Sequence, residues 1–160
     1  MLLAVLSDTH GNLAPACAAL RAWQPDMVIH LGDCVRDALE LRERFPAPDI
    51  RLVRGNCDVG VRESEKLSLN VEGVEIFATH GHLYNVKWGM DALRNAAYFS
   101  GARLCLFGHT HQRYYANVGG IEFLNPGSAG SGSEYSAALI RVENGAAECR
   151  IHTLGKDGLL

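Results

Sequence analysis

The sequence predicts a mixed α/β fold, and two observations support this class. Short apolar runs alternate with segments of helical periodicity through the first two thirds of the 160-residue chain, as in sheets whose strands are joined by crossover helices. The last third changes to short strands separated by turn residues. We therefore expect parallel strands early in the chain and mostly antiparallel strands near its end.

The first half contains five predicted elements. In order, they are a strand at 2–7, a helix from about Leu13 to Trp23, a strand at 27–32, a helix from about Val35 to Phe45 and a strand at 50–55. Pro15 falls in the opening turn of the first helix, where its missing N–H costs no helical hydrogen bond. Asn12 is the predicted N-cap of that helix.

The second half begins with two strands, 67–71 and 74–79, joined across Glu72-Gly73 as a predicted hairpin. A helix from about Val86 to Phe99 follows. The remaining predicted strands are 103–108, 113–118, 121–125, 135–142 and 147–154. Asn144-Gly145 is a strong signal for a two-residue hairpin between the last two strands, and residues 127–133 form a Gly/Ser-rich loop.

Length and composition limit the possible classes of protein. A chain of 160 residues can bury one core, so residues 1–160 are predicted to form a single domain. No apolar run approaches the roughly 20 residues that a membrane helix requires. A formal net charge of −3 argues against broad nucleic-acid binding, which depends on clustered Lys and Arg.

The first ten residues resemble a signal peptide only superficially, because they lack a basic leading segment and a small-residue cleavage site. We interpret them as a buried strand and predict a cytoplasmic location. The five cysteines would then be reduced, and no CxxC pair suggests a zinc or redox motif.

Polar residues that could bind a metal follow five of the predicted strands. These residues are Asp8, His10, Asp33, Asn56, His80, His109 and His111. Each one alone is as easily explained as a turn, capping or loop residue. Five repeats of the same placement favour convergence, because ligands of open α/β sheets bind in the crevice beyond the carboxyl ends of the strands.

The chemistry of these seven donors limits the choice of metal. Nitrogen and oxygen donors without a thiolate, and more of them than the four that structural zinc takes, suit a pair of borderline divalent ions. Manganese is our first choice, with Fe, Ni, Co or Zn as alternatives. Two divalent ions outweigh the charges of Asp8 and Asp33, so the site should favour an anionic substrate such as a phosphate ester.

The segments SDTHGN, HLGD, RGNCD, THGH and FGHTH, in this order, resemble the calcineurin-like metallophosphoesterases, and the small chain is similar to the YfcE-type phosphodiesterases. The resemblance implies a sandwich of two mixed β-sheets flanked by helices in four layers. It also implies one ion held by Asp8, His10, Asp33 and His111, and a second held by Asp33, Asn56, His80 and His109. A hydroxide that bridges the two ions would attack phosphorus.

Two positions depart from the family's pattern. Cys57 stands where many relatives have a histidine that protonates the leaving group or steadies the transition state, although it is equally explained as a small packing residue. The arginine that often follows the NPGS turn at 125–128 is absent. We predict catalytic roles for Asp33, Asn56 and His82. His82 would serve as a substitute acid or phosphate contact. An ordinary surface or supporting histidine explains its position equally well.

A protein-binding scaffold remains an alternative, because a subunit of the eukaryotic retromer coat resembles this fold and fold alone does not define function. A repair nuclease is disfavoured by the acidic composition. The expected partner is a small phosphate-ester substrate, and exposed edge strands could support a homo-oligomer. His30 is predicted to be a core histidine, His152 a surface one, and Arg54 to pair with phosphate or with Asp58.

Overall fold

The structure is a computed structural model that describes residues 1–155. Its ten strands are β1 (Leu2–Leu6), β2 (Met27–His30), β3 (Asp49–Leu52), β4 (Lys66–Val71), β5 (Val74–Thr79), β6 (Leu104–Leu106), β7 (Arg113–Val118), β8 (Ile121–Pro126), β9 (Tyr135–Glu143) and β10 (Ala146–Leu154). Its α-helices are α1 (Ala14–Trp23), α2 (Val35–Arg44) and α3 (Asp91–Phe99).

The strands form two mixed five-stranded sheets. The first sheet has the order β10-β9-β1-β2-β3, and the second has the order β4-β5-β6-β8-β7. Strands β1, β2 and β3 run parallel in the first sheet, as do β5, β6 and β8 in the second. The remaining pairs are antiparallel. The predicted class, two mixed sheets flanked by helices, is confirmed.

The apolar residues of β1 explain why the molecule has four layers. Leu3 and Val5 pack between the two sheets, whereas Ala4 and Leu6 pack against α1 on the outer face. Successive side chains of a strand point to opposite faces, so a strand buried on both faces must be apolar throughout. On the second sheet, Phe77 faces outward and packs against α3. The two inner faces form the central core.

The region between β5 and α3 differs from the prediction. The predicted start of the helix at Val86 is wrong, because α3 begins at Asp91 and a short 3₁₀ helix, His82–Tyr84, precedes it. The predicted end at Phe99 is confirmed. Asn85 has a left-handed backbone with φ of 51°, which interrupts helical geometry. The turn is instead closed by the N–H groups of Asn85 and Trp88, which donate to the carbonyls three residues earlier.

Smaller predictions can also be checked. Both predicted hairpins form, and Asn144 and Gly145 have the positive φ values, 51° and 75°, that a type I′ turn requires. The N-cap prediction is wrong: Leu13 occupies the N-cap position of α1 without a side-chain hydrogen bond, and the Asn12 side chain donates to the carbonyl of Gly130 at 3.2 Å. No helix within residues 1–155 is long and apolar enough to cross a membrane. A single domain for residues 1–160 stays a prediction.

Candidate metal centre

Loops at the carboxyl ends of five strands bring the predicted donors to one edge of the sandwich. Donor atoms of Asp8, His10 and His111 lie within 4.8 Å of one another, and those of Asp33, His80 and His109 form a second group of the same size. These residues follow β1, β2, β5 and β6. The structure therefore places six of the seven predicted donors in two adjacent groups.

Asn56, the seventh, lies in the exposed loop after β3. The backbone N–H of the next residue, Cys57, donates to Oδ1 of Asp33 at 3.0 Å. The Asn56 side-chain amide donates to the Cys57 sulfur at 3.5 Å. The loop that carries Asn56 thus directly contacts a candidate ligand of the second group.

The two aspartates connect the groups. Oδ1 of Asp33 lies 3.4 Å from Nε2 of His80, and Oδ2 lies 3.9 Å from Nε2 of His10. Oδ1 of Asp8 lies 3.1 Å from Nε2 of His111 and 3.9 Å from Nε2 of His80. Asp33 therefore offers one oxygen to each group, which suits a carboxylate that bridges two cations.

Two buried polar atoms at the centre have no hydrogen-bond partner among the described residues: Oδ1 of Asp8 and Nε2 of His80. Both side chains are fully buried, and an unpartnered buried polar group is costly. The Nδ1–H of His80 donates to the carbonyl of Leu31 at 2.8 Å, which leaves Nε2 with a free lone pair. A carboxylate oxygen and an imidazole lone pair can both bind one metal ion, so these two atoms fit a metal site.

Five of the donor residues have left-handed backbones. They are Asp8, His10, Asp33, His109 and His111, with φ between 46° and 70°. This conformation is uncommon outside glycine, is tolerated best by Asn, Asp and His, and occurs preferentially at functional sites. The strain indicates that donor placement takes precedence over backbone preference.

Glycines allow the loops to approach the two aspartates closely. A Cβ atom on Gly55 would lie 2.1 Å from Oδ1 of Asp33, and one on Gly108 would lie 2.0 Å from Oγ of Ser7. Ser7 in turn donates to Oδ2 of Asp8 at 2.5 Å. The glycines in RGNCD and FGHTH are therefore required by packing against the candidate ligands.

Asp58, the last residue of RGNCD, is a supporting residue that the sequence prediction missed. Its carboxylate accepts hydrogen bonds from the backbone N–H groups of Asp33, Cys34, Val35 and Gly55, at 2.7–3.0 Å. It is buried and fixes the loop that carries Asp33 at the start of α2. The sequence predicts that Arg54 pairs either with Asp58 or with phosphate. The pairing with Asp58 is wrong, because Arg54 donates to Glu65 at 2.7 Å.

Asn125 and Ser128 of the NPGS segment brace the loops after β1 and β6. Asn125 donates to the carbonyl of Gly108 at 2.9 Å and to Oγ1 of Thr110 at 3.0 Å. Ser128 donates to the carbonyl of Asp8 at 2.7 Å. Its resemblance to the family's NPGS turn identifies this segment in the sequence, but its bracing contacts are visible only in the structure.

The charges of the centre favour ionised aspartates. Burial raises the pKa of Asp33, but a protonated His80 at 3.4 Å would outweigh burial, so the pKa lies well below its ordinary value. Burial lowers the pKa of His80, but the two aspartates outweigh burial and raise it, so a cation that binds there would displace a proton from Nε2. Burial also raises the pKa of Asp8, yet His111 and His80 lower it overall. Burial, followed by the charge of His80, lowers the pKa of His109 to about 4. Ionised carboxylates and neutral imidazole are the forms that bind cations.

His82 lies beside the two groups without belonging to either. Its ring centroid is 5.4 Å from that of His80 and 6.2 Å from that of His109. Its Nε2 atom is 3.8 Å from Oε1 of Glu65. Burial and the nearby His80 lower the pKa of His82. Its position at the rim is compatible with contact to a substrate.

The two thiols next to candidate ligands are poorly ionised. Cys57 is exposed as a residue, but partial desolvation of its sulfur, followed by the Asp33 carboxylate, raises the pKa of the thiol to about 11. Burial and Asp37 raise the pKa of Cys34. Both groups should therefore remain neutral thiols at neutral pH.

His30 and His152 lie outside both donor groups. His30 is fully buried and its ring nitrogens lie 3.2 Å from Oγ1 of Thr9 and from the N–H of Gly32, as predicted for a core histidine. His152 is half-buried, and its ring lies 5.3 Å from that of Trp23. His152 is therefore partly covered by Trp23 rather than fully exposed.

Comparison with known proteins identifies the family. Residues 1–145 match the model of the calcineurin-like phosphoesterase superfamily domain. A probable metallophosphoesterase, YsnB of Bacillus subtilis, is 31% identical over 158 residues, covering 95% of this chain and 90% of YsnB. The chain belongs to the calcineurin-like phosphoesterase superfamily, and the resemblance seen in its motifs is confirmed.

Other relatives include a protein named as a phosphodiesterase and one named for vacuolar protein sorting. Phosphodiesterase MJ0936 of Methanocaldococcus jannaschii is 26% identical, covering 79% of this chain and 83% of its own. Vacuolar protein sorting-associated protein 29 of Schizosaccharomyces pombe is 27% identical, covering 86% and 76%. The crystal structure of a predicted phosphoesterase from Streptococcus pneumoniae superposes with a TM-score of 0.79 at 30% identity, covering 95% of this chain and 88% of its own.

Proposed function

We propose that this protein is a metal-dependent phosphodiesterase that uses two divalent ions. Asp8, His10, Asp33 and His111 would hold one ion, and Asp33, Asn56, His80 and His109 the other. The observation that carries the proposal is the pair of buried, unpartnered donor atoms, Oδ1 of Asp8 and Nε2 of His80, between the two donor groups. Mn²⁺ is the first choice, with Fe, Ni, Co or Zn as alternatives.

Two divalent ions, when bound, supply a nucleophilic hydroxide at neutral pH and neutralise charge on the phosphoryl group. The chain's own part is to position donors and substrate. Asp33 presents one oxygen to each donor group, and the hydrogen bond to Leu31 fixes the His80 tautomer. Asn56 lies on the loop that contacts Asp33 and is proposed to help orient the substrate phosphate. His82 is our candidate for the acid or phosphate contact at the rim.

The state of Cys57 favours particular substrates. A thiol with a pKa of about 11 is a poor proton donor at neutral pH compared with imidazole. Leaving groups that need little protonation should therefore react fastest, namely aryl or nucleotide phosphodiesters rather than alkyl monoesters. Rates with Mn²⁺ on an aryl diester and on a simple alkyl monoester test this: we expect the diester to react faster, and the reverse order would reject the preference.

A protein-binding scaffold is the second candidate, favoured by the similarity to vacuolar protein sorting-associated protein 29. The two functions differ in what they require of Asp33. Phosphodiesterase activity of the native chain that is abolished in Asp33→Asn supports the enzyme. If native chain and variant are equally inactive with each of the five metals, the scaffold is favoured.

We also propose a single domain over residues 1–160 that acts in the cytoplasm.

The outer strands β7 and β10 each pair on one side only, so they are available for pairing between copies. Sedimentation of the purified chain at several concentrations would detect such a homo-oligomer.

A further inference from the structure

Glu65 lies beside the candidate metal centre without belonging to either donor group. Its Oε1 atom accepts a hydrogen bond from Nη2 of Arg54 at 2.7 Å and lies 3.8 Å from Nε2 of His82. The side-chain exposure is 31% for Glu65, 32% for Arg54 and 17% for His82. The carboxylate is thus at the rim of the site, partly shielded from solvent.

The backbone around Glu65 is tied to the same two segments. The N–H of Arg54 donates to the carbonyl of Ser64 at 2.9 Å. Oγ1 of Thr79 donates to the carbonyl of Glu65 at 3.0 Å. Arg54 lies two residues before Asn56, and Thr79 directly precedes His80. Residues 64–65 are therefore anchored to both the RGNCD loop and the end of β5, which fixes the backbone from which the Glu65 side chain extends.

The charges of Glu65 and Arg54 offset each other at the rim of the site. An unpaired carboxylate at the rim of a site for anionic substrates would repel them. The guanidinium of Arg54, at 2.7 Å, offsets that charge and holds the carboxylate in a directed hydrogen bond. Glu65 can therefore orient a neighbouring group without making the rim strongly acidic. That group is His82, whose Nε2 lies 3.8 Å from Oε1 of Glu65. This separation is longer than a hydrogen bond, and a small rotation of the ring would close it, as contacts at active sites often tighten when substrate binds.

Resting on the proposed phosphodiesterase function, we propose that Glu65 is a positioning residue that holds the imidazole of His82 at the rim of the metal centre. Arg54 serves as the counter-charge that makes this arrangement compatible with an anionic substrate. The proposal differs from an ordinary surface ion pair, which contributes little, because it predicts that Glu65 acts through His82.

Four variants test this: Glu65→Gln, which removes the charge but keeps the size, His82→Ala, the double variant, and Glu63→Gln as a matched control. Glu63 lies two residues away on the same segment and makes no side-chain hydrogen bond or ion pair within residues 1–155. Turnover of bis(4-nitrophenyl) phosphate with Mn²⁺ is measured. We expect Glu65→Gln to lower kcat about tenfold, with Mn²⁺ affinity unchanged and Glu63→Gln at the native rate.

The double variant decides between positioning and general support. We expect Glu65→Gln to cause no further loss of kcat once His82 is alanine. A second measurement uses the metal-free protein: the ring-nitrogen NMR resonances of His82 should shift in Glu65→Gln and stay fixed in Glu63→Gln.

Three results would overturn the proposal: a native kcat in Glu65→Gln, an equal loss of kcat in the His82→Ala background, or unchanged His82 resonances in Glu65→Gln. Failure of the proposed function is distinguishable, because the native chain would then turn over no phosphodiester with any of the metals. In that case the ring-nitrogen resonances alone decide whether Glu65 positions His82.

Discussion

The carboxylate of Asp58 gives the sharpest prediction for the support of the metal centre. It accepts four backbone N–H groups at 2.7–3.0 Å and is buried. Asn at this position has nearly the same shape but only one carbonyl oxygen, so its amide group would face donors that it cannot satisfy. Each buried donor left unpaired costs about 1–3 kcal/mol.

We expect Asp58→Asn to keep about half of these hydrogen bonds and to lower the free energy of unfolding by about 2–4 kcal/mol, after some recovery as water enters the loop. Because the Asp33 N–H is one of the four donors, Mn²⁺ affinity should also fall, by about tenfold. Urea unfolding of the metal-free protein, followed by circular dichroism, measures the stability change, with the m-value expected to stay constant.

The matched control is Asp91→Asn at the start of α3, where the aspartate side chain is 95% exposed. Its loss should cost no more than about 0.5 kcal/mol through the helix dipole. Asp58→Asn with stability within that same margin of the native chain would refute the argument that Asp58 holds the Asp33 loop.

Three further predictions concern the same site and its surroundings. Gly55→Ala should weaken Mn²⁺ binding while the protein stays folded, because the new Cβ would lie 2.1 Å from Oδ1 of Asp33. Gly89→Ala is the control, since no atom lies within 4 Å of its Cβ. Equal Mn²⁺ affinities of the two variants in calorimetry would contradict this prediction. Burial lowers the pKa of His30 from 6.5 to about 4. The free energy of unfolding should therefore decrease by about 3 kcal/mol as the pH falls from 6.5 to about 4, because the unfolded chain takes up the proton first. Urea unfolding across this pH range should give a flatter profile for His30→Asn than for the native chain, and parallel profiles would oppose the assignment. Desolvation and Asp33 raise the pKa of the Cys57 thiol to about 11. At pH 7.5 its reaction with iodoacetamide should therefore be at least about tenfold slower in the folded metal-free protein than in urea. Equal rates, followed by mass spectrometry, would count against this prediction.

Much of the fold could be predicted because its signals are local. The apolar run of β1, the Asn144-Gly145 turn and the alternation of strands with helices each follow from period and turn chemistry. The start of α3 could not, because residues 86–90 carry helical spacing while Asn85 adopts a left-handed backbone. Asn12 shows the same limit, since a residue suited to capping instead contacts Gly130 across 118 positions.

The candidate donors were predictable because each follows a strand, and parallel strands of one sheet bring their carboxyl ends to one edge. Their supports were not. Asp58 belongs to the RGNCD motif, but its role depends on backbone N–H groups that only the fold brings to it. Glu65, proposed to act through His82, carries no distinguishing sequence signal. The left-handed backbones of Asp8 and His111 likewise follow from the arrangement of the loops rather than from residue preference.

The most direct test of the proposed two-ion centre is the metal content of the purified chain after equilibration with Mn²⁺, measured by elemental analysis together with calorimetry. We predict two bound ions per native chain and a marked loss of binding in Asp33→Asn, because this carboxylate offers an oxygen to each donor group. A native chain that retains only a trace of Mn²⁺, and likewise of Fe, Ni, Co and Zn, would contradict the account.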